Sequence, residues 1–215
     1  MPLKTFLSLV LAILFSKALI AAPVEDHFYI DGVYMFNVAA RSKATELDFN
    51  EAHGYTAFAG YRFNSYFSIE VGGIKFDPIE NPSPLRNVLG SNYLDATNRG
   101  LSFEYDVAGY SFGIRGDAPV GDLFTAWMNI GIFSWDSTFS YDINYPNFPA
   151  ISRSGSYVSS GEDYFLRLGI THPISESFQI TIETMQMQLS DYFGVEQNSS
   201  EIRLDYMGIG VGVRF

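Results

Sequence analysis

Three histidines are the side chains best suited to acid–base chemistry in this chain of 215 residues. A general base must lie within hydrogen-bond reach of the nucleophile that it activates. His53 has Glu51 nearby but no adjacent serine, whereas His27 precedes the first predicted strand and His172 stands beside a proline. The chain has no cysteine, which excludes thiol catalysis, thiolate zinc sites and disulfides. The sequence therefore predicts no catalytic residue, no metal site and no cofactor.

Three charged residues, Glu70, Arg167 and Glu183, lie on predicted strands, each on the face opposite to the apolar one. Unpaired charges in a closed interior cost several kcal/mol each, so we expect these three to form one network. The turn between the second and third strands pairs Gly60 with Glu70, and the glycine leaves the carboxylate room to reach across. A turn around Ser175 brings Arg167 opposite Glu183. Such a network would plug the interior, or its rearrangement would gate a small pore.

The elements that must position these charges are strands, because apolar residues recur with a period of two. In the last segment, Met207, Ile209, Val211, Val213 and Phe215 alternate with three glycines and an arginine. Comparable alternation occurs in seven further segments, residues 28–36, 55–63, 67–71, 108–114, 124–132, 164–170 and 178–182. The pattern predicts eight strands, each with one apolar and one small or polar face.

The connections between these strands alternate in length. Long connections at 39–54, 77–100, 136–161 and 191–200 alternate with short ones at 64–66, 116–122 and 173–177. Short turns at one end and long loops at the other are typical of bacterial outer-membrane barrels, in which the long loops face outward. The sequence thus predicts an all-β fold, an eight-stranded antiparallel up-and-down transmembrane barrel. An even number of strands places both termini on the periplasmic side.

A soluble barrel of the lipocalin kind also has eight strands, and it is the structural alternative. Its apolar residues must face inward. Here the face opposite the apolar one carries Arg62, Glu70, Arg167, Gln179 and Glu183, which suits a polar interior surrounded by lipid. Aromatic residues make up 16% of the chain and charged residues only 17%, a balance that favours a protein whose outer surface contacts lipid.

The N-terminal segment is typical of a cleaved signal peptide. Lys4 precedes an apolar run over residues 6–15, which is too short for the ~20 residues that a membrane helix needs. Cleavage is expected after Ala21 or Ala22, which leaves residues 23–215 as one barrel domain. The 24 acidic residues outnumber the 13 basic ones, and this balance excludes nucleic acid as a partner.

Two stretches carry a family resemblance. Residues 60–73, GYRFNSYFSIEVGG, resemble the second strand, turn and third strand of OmpA-like outer-membrane barrels. The terminal Phe215, preceded by apolar residues at alternate positions, resembles the signal read by the barrel-assembly machinery. The resemblance implies contact with outer-membrane lipid and lipopolysaccharide. The chain stops at the barrel, so we do not expect the peptidoglycan-binding domain of outer-membrane protein A, or its wall anchoring.

An eight-stranded barrel is just wide enough for its own side chains, so a wide porin-like channel is excluded. We therefore expect a structural or surface-recognition role, carried by the outer loops. Loop residues that mix aromatic and basic character are the candidates for binding a host or phage ligand: Tyr93, Arg99, Tyr141, Tyr145, Phe148, Arg153 and Tyr157. The alternatives are a narrow solute channel and a lipopolysaccharide-modifying enzyme, although the His-x-Ser-Asn pattern expected of a lipid A deacylase is absent.

Overall fold

The computed structural model describes residues 27–42, 48–81, 100–121, 123–144, 152–190 and 202–215. The predicted signal peptide and the candidate residues Tyr93, Arg99, Tyr145 and Phe148 lie outside these ranges. The strands are β1 (Phe28–Ser42), β2 (Asp48–Asn64), β3 (Phe67–Phe76), β4 (Ile79–Asn81), β5 (Gly100–Val120), β6 (Phe124–Asn144), β7 (Arg153–Pro173), β8 (Phe178–Leu189) and β9 (Ile202–Arg214). No helix in the described ranges is long and apolar enough to cross a membrane.

The nine strands form one closed antiparallel ring. β4 follows β3 after a break at Asp77 and Pro78, and both pair with β5, so that together they make one stave of an eight-stave barrel. A proline at this break costs no ladder hydrogen bond. The ring closes between β1 and β9, where Phe28 and Phe215 exchange two backbone hydrogen bonds of 3.0 Å. The predicted eight-stranded up-and-down barrel is confirmed.

Polar side chains fix the short turns at one end of the barrel, the turn end. The Asn64 side-chain oxygen accepts hydrogen bonds from the backbone N–H groups of Tyr66 and Phe67, at 2.8 and 2.9 Å. Asparagine favours turns because its side chain can replace a backbone acceptor in this way. Gly121, in the turn between β5 and β6, has a φ of 65°, a conformation that glycine adopts without steric cost.

The strands extend further toward the other end, the loop end, than the sequence predicted. β5, β6 and β7 each have 21 residues, so most of the predicted loop at 136–161 is strand. Tyr141, Arg153 and Tyr157, assigned to that loop, lie in β6 and β7. The prediction was wrong because β6 continues its alternation there with inverted polarity, so that Asp136 faces out and Phe139 faces in. β7 pairs with this part of β6 through a stretch rich in serine and glycine.

Two girdles of exposed aromatic residues bound the apolar outer wall. The turn-end girdle consists of Phe28, Phe63, Phe124, Phe178 and Phe215, and the loop-end girdle of Tyr34, Tyr55, Tyr110 and Tyr164. In β2, Tyr55 and Phe63 are separated by roughly 20 Å along the barrel axis, from ~3.3 Å per residue and a strand tilt of about 40°. This distance is close to the ~25 Å apolar band of outer-membrane barrels. The wall between the girdles is therefore the membrane-facing part.

The interior is filled by two layers of different chemistry. Buried charged and polar side chains occupy the turn-end half, among them Asp31, Glu70, Arg115, Arg167 and Glu183. The loop-end half is a buried apolar cluster that includes Met35, Phe76, Phe133, Trp135, Phe165, Met187 and Leu204. The predicted interior of polar and charged residues is thus correct for only one half. Beyond the loop-end girdle the outer solvent is water, so the apolar residues turn inward.

Candidate functional site

Glu70 of β3 lies at the centre of the polar layer, with 2% of its surface exposed. Its Oε1 accepts hydrogen bonds from the Tyr29 hydroxyl at 2.6 Å and from Arg115 at 3.1 Å. Its Oε2 accepts from Arg167 at 3.1 Å and from the Asn129 amide. A buried carboxylate is tolerated only when its oxygens are satisfied in this way. We call the charged residues around Glu70 the charge cluster: Asp31, Glu70, Arg115, Asp117, Arg167 and Glu183.

Arg167 connects Glu70 to Glu183. Its Nη1 lies 3.1 Å from a carboxylate oxygen of Glu70, and its Nη2 lies 3.1 Å from a carboxylate oxygen of Glu183. The structure therefore brings together the three charged residues named from the sequence. Their register differs from the prediction, because Arg167 pairs with Met185 while Glu183 pairs with Gly169. The pair is diagonal, and the long arginine side chain spans the offset.

Arg115 is the cluster member that sequence reasoning missed. Its guanidinium forms ion pairs with Glu70 at 3.1 Å, Asp117 at 2.9 Å and Asp31 at 3.5 Å. It also lies 4.3 Å from the centroid of the Trp127 ring, within cation–π range. The signal was present in the sequence, because the even positions of β5 from Ala108 to Ile114 are apolar and outward, which turns residue 115 inward.

Gly60 has a different role from the one expected. A Cβ at this position would lie 2.1 Å from the Tyr29 ring. The space that the glycine leaves is therefore filled by the tyrosine, whose hydroxyl binds both Glu70 and, at 3.0 Å, Ser68. The pairing of Gly60 with Glu70 is as predicted. The glycine positions Glu70 indirectly, by admitting its hydrogen-bond donor.

The contacts of the cluster join neighbouring strands and also strands that are not neighbours in the ring. Glu183 accepts a hydrogen bond from Tyr206 of β9 at 2.7 Å. Asp31 of β1 accepts one from Gln179 of β8, also at 2.7 Å, and Gln179 accepts one from Arg214. The Arg167 guanidinium lies 3.5 Å from the centroid of the Phe58 ring, on β2. The cluster cross-links the interior and holds its charges in fixed positions.

Tyr206 marks the boundary between the two layers. Its hydroxyl belongs to the polar layer, while its ring packs edge-on against Phe76 at 6.3 Å in the apolar one. Above it, Trp135 is buried and donates its indole N–H to Asp163 at 2.8 Å. Side chains from all the strands of the ring contribute to the apolar layer.

The three histidines are distant from one another. The His27 ring bonds the Arg62 carbonyl at 3.0 Å, and the His172 ring bonds the Leu123 carbonyl at 2.7 Å, both at the turn end. His53 lies in β2 rather than in the predicted first loop, and it stacks on Tyr34. The Glu51 side chain lies outside the described part of the chain. Among described residues, no group of acids and histidines has the arrangement of a metal site.

The terminal segment keeps its predicted faces. Met207, Ile209 and Val211 are exposed on the outer wall, as is Phe215, while Val213 is half-buried. The glycines between them face the interior, and a Cβ at Gly212 would meet the Asp31 carboxylate.

Aromatic residues collect on the inner face of the sheet where β6 and β7 rise above the loop-end girdle. The rings of Tyr141 and Tyr157 stack with centroids 6.0 Å apart. Phe139 pairs with Tyr157 in the ladder and packs against the apolar layer. We call Phe139, Tyr141 and Tyr157 the aromatic tip. Arg153 is exposed at the end of β7.

The fold resembles solved outer-membrane barrels. The outer membrane protein OprG from Pseudomonas aeruginosa superposes with a TM-score of 0.56 at 11% identity, over 90% of this chain and 98% of that one. Ail, the attachment invasion locus protein of Yersinia pestis, in a complex with the heparin analogue sucrose octasulfate, gives 0.52 at 10% identity, over 89% and 100%. At these identities the likeness shows the fold alone. No curated protein sequence matches the chain.

A family model of outer-membrane proteins matches the chain. This model describes the outer membrane protein beta-barrel domain, and it matches residues 7–215, nearly the whole sequence. The girdled outer wall and the closed ring agree with it. The chain therefore belongs to the outer membrane protein beta-barrel domain family.

Proposed function

We propose that the protein is a non-conducting outer-membrane barrel with a structural and surface-recognition role. The observation that carries this proposal is the doubly filled interior. The charge cluster fills the turn-end half and the apolar layer fills the loop-end half. A narrow solute channel is less well supported, because rearranging the charges around Glu70 would leave the apolar layer in place.

Conductance in planar bilayers tests the closed interior. The reconstituted barrel is expected to give no stable large-conductance channel. Glu70→Gln is expected to stay silent too, because the apolar layer is independent of that carboxylate. Repeated nanosiemens openings of the unaltered barrel would contradict the proposal. Openings confined to Glu70→Gln would favour the gated-channel alternative, with the charge cluster as the only seal.

We also propose an orientation, with the loop end outside the cell and both termini in the periplasm. The turn-end location of residues 27 and 215 supports it, since long loops face outward in bacterial barrels. In this scheme the N-terminal segment is removed on export by cleavage after Ala21 or Ala22. Phe215 and the alternating residues before it are read by the barrel-assembly machinery, and the outer wall contacts lipid and lipopolysaccharide.

The recognition surface in this proposal is the aromatic tip together with the loops around it. Stacked tyrosines offer large, rigid contact area and hydroxyl groups for a protein partner. Ail has been crystallised with a heparin analogue, which is a polyanion. A chain with 24 acidic against 13 basic residues disfavours such a ligand, so we propose a protein partner on a host cell or a phage.

A whole-cell assay tests recognition. Cells that display the barrel are compared for adhesion to host-cell monolayers and for phage adsorption. The double variant Tyr141→Ser/Tyr157→Ser is expected to lose at least one of these activities. Val158→Ser changes an exposed residue on the opposite face of β7 and is expected to retain it. Equal binding by all three, or none by the unaltered barrel, would contradict the recognition role.

We propose no enzymatic activity. This is supported by the placement of the histidines, since two bond backbone carbonyls at the turn end and the third stacks on a tyrosine of the outer wall. A nucleophile at the membrane surface would need a histidine within hydrogen-bond reach.

A further inference from the structure

A groove on the outer wall crosses β2, β3 and β5 at the level of the loop-end girdle. Its volume is about 430 Å³. Three small residues, Ala57, Gly73 and Ala108, form its floor, and the rings of Tyr55 and Tyr110 stand beside it. A Cβ added to Gly73 would meet no atom within 4 Å, so the floor is open toward the lipid. We call this feature the wall groove.

Lys75 stands at the upper edge of the wall groove. It pairs with Tyr55 on one side and with Ala108 on the other, one row closer to the loop end than Gly73. Lys75 is the one lysine in the described ranges, and its exposed ammonium forms neither an ion pair nor a hydrogen bond with another described residue. Asp136 lies in the same row beyond Ala108, at the far edge of the groove.

The combination of an apolar floor and an ammonium without a partner among the described residues matches an amphiphile with an anionic head. An acyl chain would lie over the small residues between the tyrosine rings, and a phosphate would contact Lys75. Asp136 would repel a phosphate at the opposite edge, which fixes the head on the lysine side. In an acidic protein, this lysine provides local charge complementarity to a phosphorylated lipid.

We propose that the wall groove binds one molecule of lipid A, the phosphorylated anchor of lipopolysaccharide, with its phosphate on Lys75 and an acyl chain across Gly73. Lipid A is the anionic lipid of the leaflet that the loop end faces in the proposed orientation, and the identity of the ligand rests on that orientation. The binding itself depends only on the wall, and not on the recognition role of the aromatic tip.

Native mass spectrometry of the detergent-purified mature barrel tests this site, with bisphosphorylated lipid A, dephosphorylated lipid A and phosphatidylglycerol as probes. The unaltered barrel is expected to retain one bisphosphorylated lipid A. Lys75→Gln should lower the retained fraction about fivefold, whereas Lys75→Arg should preserve it. Gly73→Leu should lower retention by filling the floor, and its Cβ has no atom within 4 Å to collide with.

Ala126→Leu is the matched control. Ala126 lies on the outer wall in a second, larger apolar groove that contains no lysine. This variant is expected to retain lipid A as the unaltered barrel does. The proposal is overturned if Lys75→Gln and Gly73→Leu retain as much lipid A as Ala126→Leu. It is also overturned if dephosphorylated lipid A or phosphatidylglycerol is held as strongly as the bisphosphorylated form. Either result would concern the wall groove alone. The orientation of the barrel and the recognition role of the aromatic tip are not measured in detergent, so both proposals would stand.

Discussion

At the scale of single residues, the charge cluster pairs the charges that the narrow barrel buries, which would be costly if they were unpaired. Each guanidinium contacts more than one carboxylate, and Glu70 is shared between Arg115 and Arg167. Glu183 depends on Arg167 for its only ion pair within the described residues. Removing Arg167 therefore leaves Glu70 paired with Arg115, but among the described residues it leaves Glu183 with only the Tyr206 hydroxyl.

Arg167→Ala is expected to lower the free energy of unfolding by about 3–5 kcal/mol, because it leaves a buried carboxylate without its cation. Urea unfolding in lipid vesicles measures the change. Arg203→Ala is the control, since Arg203 forms a half-exposed ion pair with Asp205 on β9 and should cost no more than about 1 kcal/mol. Equal losses in the two variants would contradict the assignment of Arg167 to a buried cluster.

A double-mutant cycle isolates the contact between Arg167 and Glu183. Replacing both with uncharged residues of similar volume should cost less than the sum of the two single changes, because the double variant strands fewer charges. Strict additivity would show that the 3.1 Å ion pair does not form in the folded barrel.

At the scale of the elements, the long strands change solvent along their length. Below the loop-end girdle, outward residues of β5 and β7 such as Ile114 and Leu168 are apolar. Above it, the outward residues include Glu104 and Glu162. The inner face of β5 changes in the opposite sense, from Arg115 below the girdle to Val107 above it. β5 and β7 thus each belong to a water-surrounded sheet in their first half and to a membrane barrel in their second half.

Single cysteines test this boundary, because the chain has no native cysteine. In reconstituted vesicles, Glu104→Cys and Glu162→Cys should react with a membrane-impermeant maleimide. Ile114→Cys and Leu168→Cys should be protected by hydrocarbon, although both positions are exposed on the bare protein. All four should react in urea without lipid. Reaction of all four in vesicles would contradict the placement of the apolar band.

β9 offers a test of the assembly signal. Phe215 and Phe178 are both exposed in the turn-end girdle, at 59% and 56%. Phe215→Ala is expected to lower the yield of folded barrel in the outer membrane several-fold, whereas Phe178→Ala should have little effect. The difference is expected because only Phe215 ends the terminal alternation. If both variants assemble equally well, Phe215 is a girdle residue only, and its role in the assembly signal is contradicted.

At the scale of the whole molecule, the closed ring removes every sheet edge within the membrane band. Opening such a barrel requires breaking a continuous strand ladder, so unfolding in detergent is expected to be slow. The seam between β1 and β9 runs from Tyr29 paired with Arg214 to Ser42 paired with Ile202. Because this ladder closes the ring, the seam is expected to open only when the whole barrel unfolds.

Gel migration checks this closure. The mature chain, recovered from the outer-membrane fraction, should migrate faster without boiling than after it, because the unboiled barrel stays compact in detergent. Mobility that is unchanged by boiling would contradict a closed and resistant ring. Recovery of the chain as a soluble periplasmic protein would contradict insertion in lipid.

The sequence by itself determined the number of strands and the side on which each residue of the membrane band lies. A period of two fixes the direction of a side chain without any knowledge of its neighbours. It therefore placed Glu70, Arg167 and Glu183 inside, and it placed Met207, Ile209 and Val211 outside. It also contained the inward position of Arg115.

Only the tertiary structure decided which side chains meet. Glu70 contacts Asn129 and Arg167, at separations of 59 and 97 residues along the chain, and the offset of Arg167 from Glu183 follows from strand stagger. Stagger and diameter belong to the closed ring, not to any one strand. The start of β7 at Arg153 was missed because its serines and glycines form no apolar alternation, and its pairing with β6 defines the strand. The end of β6 at Asn144 was missed for a related reason, since an inverted alternation is recognisable only once the membrane boundary is known. That boundary is set by the girdles of all the strands together.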